Sequence, residues 1–249
     1  MRRLTWRVRE SKSDWGLLPV RPGSEIADAV AESVQAMADP VRAAFSRARL
    51  TRLLRQLPGP PMISLGSGTT VPDGWWGLDF RRRGPRIFYA DLRRPLPLPD
   101  ASVGGLLAEH VVEHLHFDDI PQLLCECRRV LRRGAPIRIV SPDARKIARL
   151  ILDPGSSEAQ TLVADDHLVH HWPASATGAM RTANRLSHQW GQHASLVNAA
   201  LIIDLLTVAG FASASECPPG TTAFFPSLPD RHPERFPQST EAFAVEALA

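Results

Sequence analysis

The sequence predicts an α/β fold, a mainly parallel sheet with helices over both faces, preceded by an N-terminal helical arm. Three observations carry this reading. Short apolar runs alternate with helix-period segments between residues 62 and 142. Apolar strands separated by helices build a parallel sheet that is covered on both sides. The first run, "MISL", ends in Gly66-Ser67-Gly68, as a strand does when it feeds a nucleotide-binding turn.

The elements follow in order. Ser24 can cap a helix over 24–57, with Ile26, Val30, Val34, Met37, Val41, Phe45, Leu50, Leu53 and Leu54 at helical spacing and Pro40 as a break. "LPGPP" ends this arm, which sets boundaries at 1–57 for the arm and 58–249 for the main domain. Strands are expected at Met62–Leu65, Trp75–Phe80, Arg86–Ala90, 103–110 and 136–143. Between the last two lies a helix over 118–134. Asp118 is its candidate cap, Gly134 its stop, and Ile120, Leu123, Leu124, Cys127, Val130 and Leu131 its stripe. A second helix is expected over 143–153. Residues 154–194 read as an irregular, His-, Ser- and Ala-rich, lid-like insertion. A strongly apolar helix over 195–209 stops at Gly210, and "FASASEC" and "EAFAVEAL" give two last strands around a Pro-rich loop.

Composition narrows the function classes. Apolar residues make up 44% and charged residues 22%, enough for a packed core. No window is apolar enough for a membrane span, and the basic N-terminus lacks the apolar stretch of a secretory signal. Cys125, Cys127 and Cys217 form no disulfide framework, so the expected setting is reducing and cytoplasmic. The net charge is +3, carried by short Arg clusters such as Arg81–Arg83 and Arg132–Arg133, which acidic residues dilute. No basic stripe interleaved with aromatics emerges, so the expected partner is a small molecule rather than nucleic acid or a membrane.

The glycine turn has an unusual sequel. A dinucleotide-binding unit places a helix behind the turn and an acid about 20 residues on. Here Asp79 follows too soon for a helix, across Pro72 and Gly74. A pyrophosphate gains from a full helix N-terminus; a phosphate-free nucleoside does not need one. It needs close backbone approach, which Gly66 and Gly68 allow, and a carboxylate for both ribose hydroxyls, which Asp79 can supply. Asp91, after the next strand, could receive an adenine amino group. The ligand that fits this set is S-adenosylmethionine.

The same residues resemble a known group. "ISLGSG", "GWWGLDF", "YADLRRPLPLPDASVGGLLAEHVVEHL" and "LCECRRVLRRGAPIRIVSPD" are similar to the class I S-adenosylmethionine-dependent methyltransferases, type 11, ubiquinone/menaquinone-biosynthesis-like branch. The resemblance covers about residues 60–246. It implies a Rossmann-like doubly wound seven-stranded sheet with the last strand antiparallel. It implies cofactor contacts from Gly66, Ser67 and Gly68, from Asp79 and Phe80, from Asp91 and Leu92, and from Glu109 beside His110. It implies a small-molecule substrate, a biosynthetic intermediate such as a secondary metabolite or sugar, methylated at O or N. Two departures stand out. Ser64 takes the place of an acid that would meet the methionine amino group, and Ala135-Pro136 replaces a Gly-Gly pair. No Asn-Pro-Pro-Tyr-type motif is present, which argues against methylation of base amines or glutamine amides.

A general base would be a histidine, with His110 first and His188 and His193 next. His110 to His114 also reads H-x-x-E-H, a zinc-hydrolase pattern of His110, Glu113 and His114. That pattern belongs inside a helix, and here it falls at a strand end, so no metal site is assigned. "DDHLVHHW" and "SHQWGQH", with Trp172 and Trp190, are expected to line a substrate pocket. The competing readings are an S-adenosylmethionine-binding accessory or regulatory protein, whose partner or second copy docks through residues 1–57, and the zinc hydrolase.

Overall fold

A computed structural model describes residues 41–80, 84–170, 178–218, 220–230 and 241–249. The expected arm up to residue 40, Arg81–Arg83, Trp172 and the segment "PERFPQST" lie outside the described residues. The arm's final segment is a helix, α1 (41–54), whose Leu50 is fully buried with Leu53 and Leu54 packed against the main core. Contacts group Arg42–Ala249 into one unit, so this segment belongs with the sheet. No helix among the described residues is long and apolar enough to cross a membrane.

The apolar runs become strands where expected: β1 (Met62–Leu65), β2 (Trp76–Asp79), β3 (Ile87–Tyr89), β4 (Gly105–Glu109) and β5 (Pro136–Pro142), followed by β6 (Ala212–Cys217) and β7 (Ala242–Leu248). Among the described residues these seven strands form one sheet in the order β3-β2-β1-β4-β5-β7-β6. β1 to β5 pair in parallel, and β7 runs antiparallel between β5 and β6. The strand order reverses at β1, between β2 and β4, which is where a doubly wound sheet opens a crevice for ligands.

Two-residue alternation divides the faces of β1 and β4. Ile63, Leu65, Leu106 and Ala108 enter the main core with α2 (Asp119–Val130) and α6 (Ala199–Val208), which contribute Ile120, Leu123, Leu124, Ile202 and Leu206. Met62 and Leu107 meet Val71, Trp75 and Phe225 instead. The chain from Gly66 to Trp75 forms turns and no helix, so the rings of Trp75 and Phe225, stacked at 6.0 Å, cover this part of the sheet. Among the described residues, helices cover one side of β1 and β4, and Trp75 and Phe225 from two loops meet the other.

Three local expectations change. Residues 154–194 are mostly helical: α4 (Ser157–His170) and α5 (Gly178–His188) pack on α3 (Ala144–Leu152) through Ile147, Leu150, Ala159, Leu162, Ala183 and Leu186. Few and small apolar residues make this stripe, which hid it in the sequence. Asp118 makes no capping hydrogen bond, and α2 stops at Val130 because Leu131 turns extended to bridge Val103. The apolar helix begins at Ala199, capped by Asn198, whose Oδ1 accepts from Leu201 N–H at 2.9 Å. Asp143 caps α3 in the same way through Arg145 N–H at 2.9 Å.

The β5–β7 register is fixed by a buried charge pair. Arg138 on β5 lies opposite Glu246 on β7, with 1% and 0% of the side chains exposed. Arg138 Nη1 donates to Glu246 Oε1 at 2.9 Å, and Nε and Nη2 donate to Asp230 at 2.6 and 2.8 Å. Glu246 also accepts from Thr222 Oγ1 and from the Ala223 and Phe224 N–H groups. Removing one partner of such a pair strands an uncompensated charge. Arg138→Ala is therefore expected to cost about 3–5 kcal/mol in urea unfolding.

Candidate functional site

The carboxyl ends of β1, β2, β3 and β4 gather the residues singled out in the sequence. At the end of β1 the backbone turns left-handed at Gly66 (φ +54°) and Gly68 (φ +60°), conformations that cost little only without a Cβ. The turn swings Gly68 N–H onto Asp79 Oδ2 at 2.8 Å, at the end of β2. Ser67 between them is buried, and its side chain packs under the turn against Gly77, where an added Cβ would collide with it. Ser67 thus offers a bound molecule its backbone rather than its hydroxyl. The need for Gly77 was not legible in advance, because it arises from a contact across the β1–β2 turn.

The other expected contacts are placed as follows. Phe80 packs beside Tyr89 with ring centroids 5.7 Å apart. Ala90 N–H donates to the Asp79 carbonyl at 3.0 Å, which brings the β3 end alongside. Asp91 faces Arg93, which donates to its carboxylate from N, Nε and Nη2 at 3.0, 2.9 and 2.9 Å. Partial burial would raise the Asp91 pKa, but the Arg93 hydrogen bonds and charge outweigh it and hold the carboxyl below its usual value. A ligand amino group at Asp91 would compete with that guanidinium. Leu92 packs on the main core. Glu109 ends β4 and is 3% exposed. Ser64 keeps its hydroxyl buried within β1, with no hydrogen-bond partner among the described residues.

His110 takes a left-handed backbone (φ +53°), which turns the chain out of β4 while its N–H still bonds Val140 O at 2.9 Å. A short 3-10 turn, Val112–His114, follows. Glu113, 2% exposed, accepts from His110 Nδ1 at 3.0 Å and from Ser141 Oγ at 3.0 Å. An ionised carboxylate only accepts, so Nδ1 carries the hydrogen and the lone pair of the neutral ring sits on Nε2. Burial alone would lower the His110 pKa; the hydrogen bond and charge of Glu113 reverse this and raise it above the ordinary value. Glu113 is held below its ordinary value by the same contact, against its own burial. The H-x-x-E spacing was visible in sequence, whereas Ser141 arrives from β5 and left no local signal.

The other two histidines separate. His188 is exposed at the end of α5. His193 is 9% exposed, donates Nδ1–H to Leu186 O at 2.7 Å, and has its pKa pushed down, chiefly by burial. Its ring stands edge-on to that of His114 at 4.9 Å. His110, His114 and His193 therefore meet around Glu113, and His188 does not join them. Trp190 lies in a short 3-10 turn, Gln189–Gly191, between α5 and His193.

The two glycines of the turn separate by their surroundings. A Cβ at Gly66 would stand 2.7 Å from Val111 Cγ2, while one at Gly68 would meet nothing within 4 Å. Gly68→Ala is expected to cost about 1–2 kcal/mol for its left-handed backbone alone. Gly66→Ala should cost more, because Val111 must also move, and the two thermal unfolding midpoints measure the difference.

Residues 77–139 match the family model of a methyltransferase domain. No curated protein matches the chain by sequence. Among solved structures the chain is similar to an S-adenosylmethionine-dependent methyltransferase from Archaeoglobus fulgidus, at 16% identity over 86% of this chain and 98% of that one (TM-score 0.44). It is also similar to one from Thermotoga maritima, described as a possible histamine N-methyltransferase, at 15% identity over 90% and 99% (TM-score 0.45). A third, from Mesorhizobium loti, is 19% identical over 80% and 96% (TM-score 0.42). Residues 77–139 thus resemble a methyltransferase domain, and they lie in a seven-stranded sheet that reverses at β1 and carries an antiparallel β7.

Proposed function

We propose that the chain is a cytoplasmic enzyme that methylates O or N of a small biosynthetic substrate, using S-adenosylmethionine. One observation carries the reading: at adjoining strand ends, a glycine turn bonded to Asp79 stands near a histidine backed by a buried carboxylate.

The residues present fit the cofactor. The space beside the Gly68 Cα is clear, so a ligand can lie against the turn's backbone. Asp79 can accept from both ribose hydroxyls at the carboxyl end of β2, as parallel strands favour. Phe80, next to Asp79, and Glu109, at the end of β4, are the further residues that would meet it there. When bound, the cofactor supplies a methyl carbon already activated by its sulfonium. The protein is left to orient the acceptor, exclude water and hold a proton. His110 is suited to the last task. Glu113 fixes its tautomer and Ser141 fixes Glu113, so Nε2 can take the proton from a substrate hydroxyl or amine. The α4–α5 pair and the segment around Trp190 lie in the insertion that would set substrate choice.

Asp79→Ala is expected to weaken S-adenosylmethionine binding by about 10–100-fold in calorimetry, the worth of hydrogen bonds to a charged acceptor. His110→Ala should leave that affinity within about twofold and lower turnover by about 10²–10⁴-fold. Turnover is read as S-adenosylhomocysteine released with candidate phenols, amines and sugars. Cofactor binding without any product across such a panel would favour an accessory, non-catalytic role.

A further inference from the structure

We propose that Glu113, His114 and His193 form a binding site for one divalent transition-metal ion, zinc foremost. One ligand atom from each lies within 4.8 Å of the others. A tetrahedral zinc with bonds of about 2.0–2.1 Å holds its ligands about 3.3 Å apart, so small side-chain rotations close the set.

The hydrogen bonds select the ligand atoms. His114 Nδ1 faces the Gln192 carbonyl at 3.1 Å, and His193 Nδ1 faces the Leu186 carbonyl at 2.7 Å. A carbonyl can only accept, so both Nδ1 atoms carry hydrogens and both Nε2 atoms present lone pairs. Backbone carbonyls behind imidazoles are the usual outer partners of metal-binding histidines, because they fix ring and tautomer. His193 Nε2 is buried and has no hydrogen-bond partner among the described residues. Glu113 is engaged once at each oxygen, by His110 and by Ser141, and each oxygen keeps a further lone pair. Two imidazole lone pairs and a carboxylate thus converge with no hydrogen bond joining the three among the described residues. Three acceptors in a buried place call for a cation, and a two-imidazole, one-carboxylate set suits zinc over magnesium or calcium.

The surrounding backbone is built for it. Ala194 and Ser195 N–H groups donate to the Glu113 carbonyl at 2.7 and 3.1 Å, and Ser195 Oγ donates to Leu115 O at 2.7 Å. The segment bearing His193 is thereby aligned with the turn bearing Glu113 and His114 before any ion arrives. His110 acts from outside as a donor to Glu113, so this is not the H-x-x-E-H arrangement, and Glu113 serves as ligand rather than base. The ion would fasten the segment after α5 to the end of β4.

The full chain, stripped with EDTA, should bind one equivalent of zinc in calorimetry and gain thermal stability, with no response to magnesium. His114→Gln and His193→Gln should each weaken zinc binding at least about 100-fold, beyond the loss known for outer partners. Cys125→Ser should bind as the parent does. Cobalt(II) loaded into the unaltered protein should give tetrahedral visible bands without thiolate charge transfer, a readout that needs no variant to fold. No zinc uptake, uptake unchanged in both histidine variants, or a thiolate band would overturn the site.

Discussion

The left-handed turn at Gly66–Gly68 is the constraint from which the site follows. β1 and β2 are parallel neighbours, yet the chain passes between them without a helix. It must reverse at once and still satisfy the N–H groups it frees. Two positive-φ glycines allow the reversal, and the Asp79 carboxylate takes one of the freed donors. The same bond fixes where that carboxylate stands. Ser67 seals the underside against Gly77, so turn and strand hold each other without a deep scaffold behind them.

Buried charge elsewhere obeys a similar economy. Arg138 and Glu246 are matched donor for acceptor. Arg185 joins Asp166 of α4 to Glu241 at the start of β7, and Thr182 satisfies the second Asp166 oxygen. Such networks tie the helical insertion and the β6–β7 connection to the sheet by direction as well as by contact. Around Glu113 the matching is different: acceptors gather there in excess of donors, and that imbalance makes the cluster chemically distinct.

Much of the sheet could be read from the chain because strand and turn signals are local. Met62–Leu65, Asp79 and the apolar 199–208 helix declare themselves through runs, glycines and period. The carboxylate at Asp79 and the backing of His110 by Glu113 also lie within short spans of sequence. What stayed hidden depends on contacts between distant segments. Ser141 reaches Glu113 across the β4–β5 pair, and Arg93 turns back on Asp91 through rotamer choice rather than pattern. The α4 and α5 helices escaped notice because their stripe is thin and dominated by alanine and single leucines. Period is informative only when the buried face is large.

The Trp75–Phe225 stack ties two remote insertions to a common fate. Because no helix among the described residues packs on Met62 and Leu107, an indole from one connection and a phenyl from another serve as the roof there. Lengthening the β1–β2 link enough to house a helix would evict Phe225, and shortening the β6–β7 link would bare the strands beneath. Descendants of this chain should therefore change the two lengths in concert, one growing as the other recedes.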